Sequence, residues 1–323
     1  MVKAIVIHKT GGPEVMSYED VDVTPPGAGQ VRIKQHAIGV NYIDNYIRSG
    51  MYPNQTPFVL GNEGAGEVTQ LGEGVKEFKV GDRVAYAGAL GGYAEERNVP
   101  AALLVKLPDS ISYETAAAMM LKGLTTQYLL RRTYKVKSGD TILFHAAAGG
   151  VGLIACQWAK ALGATVIGTV GSKEKGKLAQ EAGAQHIIYY RNEDFAARVK
   201  DITKGALCEV VYDGVGKTTF PASLDCLKPF GYFVSFGSSS GQIDAFNIGI
   251  LAQKGSLYAT RPTMNTHVAK RDVLEEMARD LFEVVSSGKV KIPVHHRYKL
   301  SEARKALEAL EGRETTGATV LIP

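Results

Sequence analysis

The order of apolar and polar positions divides the chain into two textures. Over residues 1 to about 120, short alternating runs ("AIVIHK", "QVRIKQHAIGV", "GAGEVTQLG", "VGDRVAYAG", "GGYAEERNV") are separated by glycine and proline. Strands this short and this regularly interrupted predict a compact, barrel-like β domain. "SYETAAAMMLKGLTTQYLLRR" then carries sustained helix formers behind Ser112, a suitable N-cap, and predicts a helix leading out of the β region. From Asp140 apolar strands alternate with helices: "TILFHAAA", "GLIACQWAKALG", "ATVIGTVG", "EKGKLAQEAG", "HIIYY", "DFAARVKDIT", "EVVYDGVG", "FPASLDCL" and "GYFVSFG". That rhythm predicts βαβ units around a parallel sheet. Near residue 265 it stops, and "KRDVLEEMARDLFEVVSSG" reads as a long amphipathic helix. The tail ends in an apolar strand expected to return to the first domain. The expected fold is therefore α/β, with a β domain over residues 1–122 completed by 265–323, and a doubly wound domain over 123–264.

At 323 residues the chain supports two cores of ordinary size. A net charge of +4 is small against 37 basic and 33 acidic residues, and no block of like charge occurs, so charge argues for neither a nucleic-acid nor a membrane partner. The amino terminus lacks the apolar core and cleavage site of a signal peptide, and no apolar run approaches the roughly 20 residues of a spanning helix. A cytoplasmic protein is expected. Cys156, Cys208 and Cys226 lie far apart without CxxC spacing, which rules out a structural zinc site and makes them buried fillers in a reducing compartment. His295 and His296 are neighbours in a loop or strand, where successive side chains diverge, and form a poor chelate.

"TILFHAAAGGVGLIACQWAKALGATVIGTVGS" is the most informative stretch. A strand running to His145 meets a turn of small residues, and a helix begins near Gly150. A dinucleotide site needs small side chains where the backbone approaches the pyrophosphate, and a helix N-terminus to supply free amides. The pattern here is Ala147, Gly149, Gly152, so the usual first glycine is missing and the turn should differ slightly from the common one. After the second strand, where an NAD site places a carboxylate, stand Gly171, Ser172, Lys173 and Lys175. With a hydroxyl and ammonium groups in place of that carboxylate, the expected cofactor is NADPH.

"HKTGGPEV", "GVNYIDNYIRSGMYP", "GNEGAGEV", "LKGLTTQYLL", "HAAAGGVG", "YDGVG" and "VSFGSSSG" together resemble the zinc-free NADPH:quinone oxidoreductases, the zeta-crystallin-like branch of the medium-chain dehydrogenase/reductase superfamily. The resemblance spans essentially the whole chain. It implies a GroES-like β-barrel catalytic domain plus a Rossmann domain, with the cofactor in the cleft, and a homodimer. Asn41 and Asn62 stand where a zinc alcohol dehydrogenase would hold cysteine and histidine, so no metal is expected. Carried over by position, the cofactor site falls on Tyr42, Ile43, Asp44, Asn45 and Tyr46, on Thr125, and on the turn Ala148, Gly149, Gly150, Val151 and Gly152. Ser172, Lys175 and Tyr190 fall at the adenosine phosphate; Gly216, Phe236, Gly237, Ser238 and Arg313 complete the set.

Quinone reduction is the activity implied. A quinone accepts hydride into a delocalised system and needs positioning more than a Lewis acid. Tyr46 and Tyr52 are candidates to contact the acceptor or relay a proton, and Asn41 to orient it; both tyrosines could equally only wall the pocket. Reduction of 2-alkenals or other enones is the close alternative. A non-enzymatic NADPH- or RNA-binding role is disfavoured by the modest charge and the lack of a basic, aromatic-interleaved stripe.

Overall fold

In the computed structural model, which describes residues 1–323, the first texture resolves into β1 (Val2–Ile7), β2 (Met16–Val21), β3 (Gln30–Val40), helix α1 (Tyr42–Arg48), β4 (Phe58–Val59), β5 (Glu63–Leu71), β6 (Arg83–Ala87), β7 (Glu96–Pro100) and β8 (Leu104–Lys106). Helix α2 (Tyr113–Tyr128) follows. Its start is fixed as expected: the Ser112 hydroxyl accepts the Thr115 amide at 3.1 Å. The alternating region gives β9 (Thr141–Phe144), α3 (Gly150–Ala161), β10 (Thr165–Val170), α4 (Lys173–Glu181), β11 (His186–Tyr189), α5 (Phe195–Ile202), β12 (Cys208–Asp213), β13 (Leu227–Ser235), α6 (Gly249–Gln253) and β14 (Tyr258–Thr260). Then come α7 (Met264–His267), α8 (Arg271–Ser286), β15 (Val294–Lys299), α9 (Ala303–Glu311) and β16 (Ala318–Ile322).

The chain divides into two compact units: Met1–Leu124 with Val268–Ser286 and Ile292–Pro323, and Thr125–His267 with Ser287–Lys291. In the first unit β2, β1 and β4 form one sheet, and β15-β16-β3-β5-β6-β8 a second, with β7 also paired to β3. Along β3 the side chains alternate, as a half-buried strand requires: Val31 and Ile33 enter a core with Val68, Phe78, Val84 and Leu104, while Lys34 faces water. From Ala37 the strand is buried on both faces, because the tail covers it. β16 runs antiparallel to β3 with Val320 opposite Gly39, and Leu300, Leu307 and Leu321 join Ile5 and Ile38 in one core.

The second unit holds six parallel strands in the order β11-β10-β9-β12-β13-β14. The winding reverses between β9 and β12, so the loops leaving their carboxyl ends lie side by side. That is where open parallel sheets bind ligands. One expected element differs: "FPASLDCL" forms only a five-residue 3-10 turn, Ala222–Cys226. Pro221 supplies no amide and β13 begins directly afterwards, leaving too few residues to propagate an α-helix. No helix is long and apolar enough to cross a membrane.

Candidate functional site

The glycine turn is built at this switch point. β9 ends at Phe144, Ala146 takes a left-handed φ of 55°, and α3 starts behind Gly149. No side chain caps α3, so its first amides point outward at the positive end of the helix dipole. A Cβ on Gly152 would lie 2.5 Å from the Ala146 carbonyl oxygen and 2.6 Å from that of Ala147. Only glycine lets the helix sit this close to the strand. The missing first glycine has its explanation on the neighbouring strand: a Cβ on Gly168 would come within 2.7 Å of the Ala147 methyl. The space that the turn gives up at Ala147 is returned by β10. Ala148 is buried, Val151 half-buried and Gly149 exposed.

The loop after β12 is organised by Asp213, which the sequence reading passed over although "YDGVG" sets an acid before a turn at a strand end. Asp213 is fully buried. Its Oδ1 accepts the amides of Val215 at 2.8 Å and Gly216 at 2.9 Å. Oδ2 accepts the hydroxyls of Thr219 at 2.7 Å and Ser223 at 3.1 Å. The loop thus fixed takes φ +92° at Gly216 and packs on the segment after β13: a Cβ on Gly237 would lie 2.5 Å from the Gly214 oxygen, and one on Gly214 3.0 Å from the Phe236 ring. Gly216, Phe236, Gly237 and buried Ser238 are therefore neighbours. Thr125, also buried, belongs to the same unit.

At the end of β10, Ser172 caps α4 by accepting the Lys175 amide at 3.3 Å. A Cβ on Gly171 would lie 2.8 Å from the Tyr190 hydroxyl and 3.5 Å from the Arg191 Nε. Ser172 and Tyr190 thus flank one small space beside Gly171, Lys175 stands in the first turn of the helix that Ser172 caps, and Arg191, which the sequence reading did not select, adds a further cation beside that space.

In the first unit α1 and the segment after it carry a row of tyrosines. The Tyr42 and Tyr46 rings are 5.3 Å apart, and Tyr46 and Tyr52 5.2 Å. The Tyr42 hydroxyl is pushed up by burial, against the charge of Arg313, so the tail residue lies close to this helix. Ile43 is half-buried. Asn45 is 3% exposed, and neither amide atom has a hydrogen-bond partner in the protein. Such a group needs a bound ligand or water.

Beneath the tyrosines lies a buried polar cluster that sequence reasoning did not assemble. Asn41 donates to Glu63 Oε2 at 2.7 Å and accepts from Lys122 Nζ at 2.7 Å, with Lys122 3.5 Å from the same Glu63 oxygen. Glu63 Oε1 takes the Leu121 amide of α2 at 2.7 Å. Asp44, fully buried, accepts the Asn41 amide, the Asn62 side chain and the Tyr93 hydroxyl, all at 2.9 Å. Burial raises the Asp44 carboxyl to about 6 against these donors, and raises Glu63 against the Lys122 ammonium. Asn41 and Asn62 are thus spent on neighbours, and an ammonium sits within the cluster. No group of three or more His, Cys, Asp or Glu side chains could hold a metal ion. The His295 and His296 ring centroids are 6.4 Å apart.

Residues 27–109 match the family described as alcohol dehydrogenase GroES-like domain, and residues 150–279 the family described as zinc-binding dehydrogenase. A quinone oxidoreductase of Pseudomonas aeruginosa is 54% identical over 325 residues, covering 100% of both chains. A 2-haloacrylate reductase of a Burkholderia species is 44% identical, covering 100% of this chain and 99% of its own. The crystal structure of Escherichia coli quinone oxidoreductase complexed with NADPH superposes with a TM-score of 0.98 at 50% identity, covering 99% of this chain and 100% of that one. With a GroES-like domain, a Rossmann-type parallel sheet and full-length likeness of this order, the chain belongs to the zeta-crystallin-like quinone oxidoreductase family of the medium-chain dehydrogenase/reductase superfamily.

Proposed function

We propose that this protein reduces quinones by hydride transfer from NADPH without a metal ion. The observation that carries the reading is full-length identity of 50–54% to named quinone oxidoreductases, one of them solved with NADPH. The residues present fit that cofactor. The uncapped N-terminus of α3 and the close approach at Gly152 suit a pyrophosphate, and the space beside Gly171, flanked by Ser172 and Tyr190 with Lys175 in the first turn of α4, suits a 2′-phosphate. Bound NADPH supplies the hydride. Tyr46 and Tyr52 border the acceptor, and Asn41 is held in one orientation by Glu63 and Lys122. Holding the acceptor at the right distance and angle is the chain's contribution.

The 2-haloacrylate reductase at 44% identity keeps enone reduction as a second reading. NADPH oxidation measured against a panel of quinones, 2-alkenals and 2-haloacrylates separates the two: quinones should turn over fastest, and preference for the unsaturated acids or aldehydes would reverse the order of the readings. A homodimer is part of the proposal, supported by the position of β14 at the sheet edge, with Tyr258 on that strand 52% exposed. A cytoplasmic location rests on three buried free cysteines, each thiol pushed up by burial. A barrel-like closure of the seven-stranded sheet rests on the family resemblance.

Lys175→Ala is expected to weaken NADPH binding by about 1–3 kcal/mol and leave NADH almost unchanged, because a charge-assisted contact to the 2′-phosphate is lost. Titration of the variant with both cofactors checks this; equal losses would place the ammonium elsewhere. Tyr46→Phe and Tyr52→Phe should each lower turnover by much less than the roughly 100-fold expected for loss of a general acid. Water can protonate a delocalised quinone product. Steady-state kinetics at saturating NADPH decides, and loss of most of kcat in a folded variant would identify a dedicated proton donor.

A further inference from the structure

Behind the glycine turn runs a buried chain of hydrogen bonds that the cofactor site does not itself require. His145, the residue before the turn, is 1% exposed. Its Nδ1 lies 3.0 Å from the Thr169 hydroxyl of β10, and its Nε2 3.0 Å from the Ser223 hydroxyl. Ser223 in turn donates to Asp213 Oδ2 at 3.1 Å. The ring of Phe195 stands edge-on to the imidazole at a centroid distance of 4.9 Å, and Asp213 is the charged group that acts on it.

Counting protons fixes the direction of the chain. Asp213 already accepts two amides and the Thr219 hydroxyl. As a carboxylate it can only accept, and so can the Thr219 carbonyl oxygen 3.0 Å from the same hydroxyl, so the single Ser223 proton is shared between these two acceptors and points away from His145. The Ser223 oxygen must then accept from His145, which places the ring proton on Nε2 and leaves Nδ1 to accept from Thr169. Every member donates and accepts in one sense, from Thr169 through His145 and Ser223 to Asp213. Burial keeps the imidazole neutral, as this arrangement demands.

The chain starts at Thr169 on β10 and ties together the two loops that flank the switch point. His145 enters the turn Ala146–Gly152 directly, and Asp213 holds the amides of Val215 and Gly216. We infer that His145 is a positioning residue for the cofactor: through Ser223 and Asp213 it sets the register of the loop after β12 against the turn after β9, so that both meet the dinucleotide in one arrangement. This inference rests on the reading that NADPH binds at the turn.

The test is calorimetric titration of NADPH into the wild type and into His145→Leu, His145→Gln and Ser223→Ala. Leucine keeps the bulk and removes both hydrogen bonds; glutamine restores a donor near the Nε2 position. His145→Leu is expected to raise the Kd by about 10-fold, the factor that follows from about 1.4 kcal/mol of lost preorganisation. Glutamine should recover most of that loss, Ser223→Ala should weaken binding comparably, and in kinetics the loss should fall more heavily on KM for NADPH than on kcat. Equal affinity in the wild type and a folded His145→Leu, or equal losses for leucine and glutamine, would reduce His145 to core filling and overturn the inference. Should the leucine variant not fold, an unchanged Kd in Ser223→Ala overturns it instead. If the wild type shows no saturable NADPH binding, the functional reading itself fails and the inference with it.

Discussion

Lys122→Met is expected to destabilise the protein by about 3–5 kcal/mol, the range for removing one partner of a buried charge pair. Glu63 is fully enclosed and Lys122 is 7% exposed, so the methionine would fill the volume but leave Glu63 without its counter-charge. Asp44, which also feels the ammonium, would be left with neutral donors alone. The sign of the pH dependence follows. In the wild type the Asp44 carboxyl is already raised to about 6, above its unfolded value of 3.8, so the folded state binds the extra proton between these values. Stability from this group is thus present at low pH and lost as pH rises through about 6. Without Lys122 both carboxyls rise further, and the folded variant binds more protons than the folded wild type near neutrality. The deficit should be largest at about pH 7.5 and narrow by about pH 5.5. Denaturant unfolding at the two pH values measures it, and a deficit under about 1 kcal/mol, or one insensitive to pH, would mean that the ammonium is not what balances these carboxylates.

The second large effect concerns two glycines of the turn, which should fail in different ways. Gly152→Ala puts a methyl 2.5 Å and 2.6 Å from two backbone oxygens, neither of which is the end of a flexible side chain. Helix α3 must then lift from its strand, and a stability loss of about 1–3 kcal/mol is expected together with weakened NADPH binding. Gly149→Ala meets only the Ala146 oxygen, at 3.2 Å, and its φ of −75° suits any residue. Its thermal midpoint should stay near that of the wild type while NADPH affinity falls, because the methyl stands where a pyrophosphate would approach the helix amides. Thermal unfolding with and without NADPH distinguishes the pair. Undiminished binding in Gly149→Ala would remove close backbone approach from the account of the site.

What could be read from the chain was whatever is encoded by spacing between near neighbours. The alternation in "QVRIKQHAIGV", the strand–helix rhythm from Asp140, the Ser112 cap and the turn ahead of α3 are all local patterns, because the periods of strand and helix and the torsional freedom of glycine act over a few residues. Even the absent first glycine was visible. That Gly168 makes room for Ala147 was not, since a strand pairing had to bring residues 21 positions apart into contact.

The polar interior shows the same division. Asn41, Asn62 and the tyrosines could be picked out one by one, yet Asp44, Glu63, Tyr93 and Lys122 meet them across α1, β5, the β6–β7 connection and α2. His145 and Ser223, 78 residues apart, form the same kind of long-range link. Hydrogen bonds between distant residues leave no periodic trace in a sequence, and a buried charge is tolerable only once its partners have been delivered by the fold. The sequence by itself therefore determined the order of strands and helices and the place of the dinucleotide turn. The tertiary structure decided which buried polar groups face one another, and so which residues hold that turn and the tyrosine row in place.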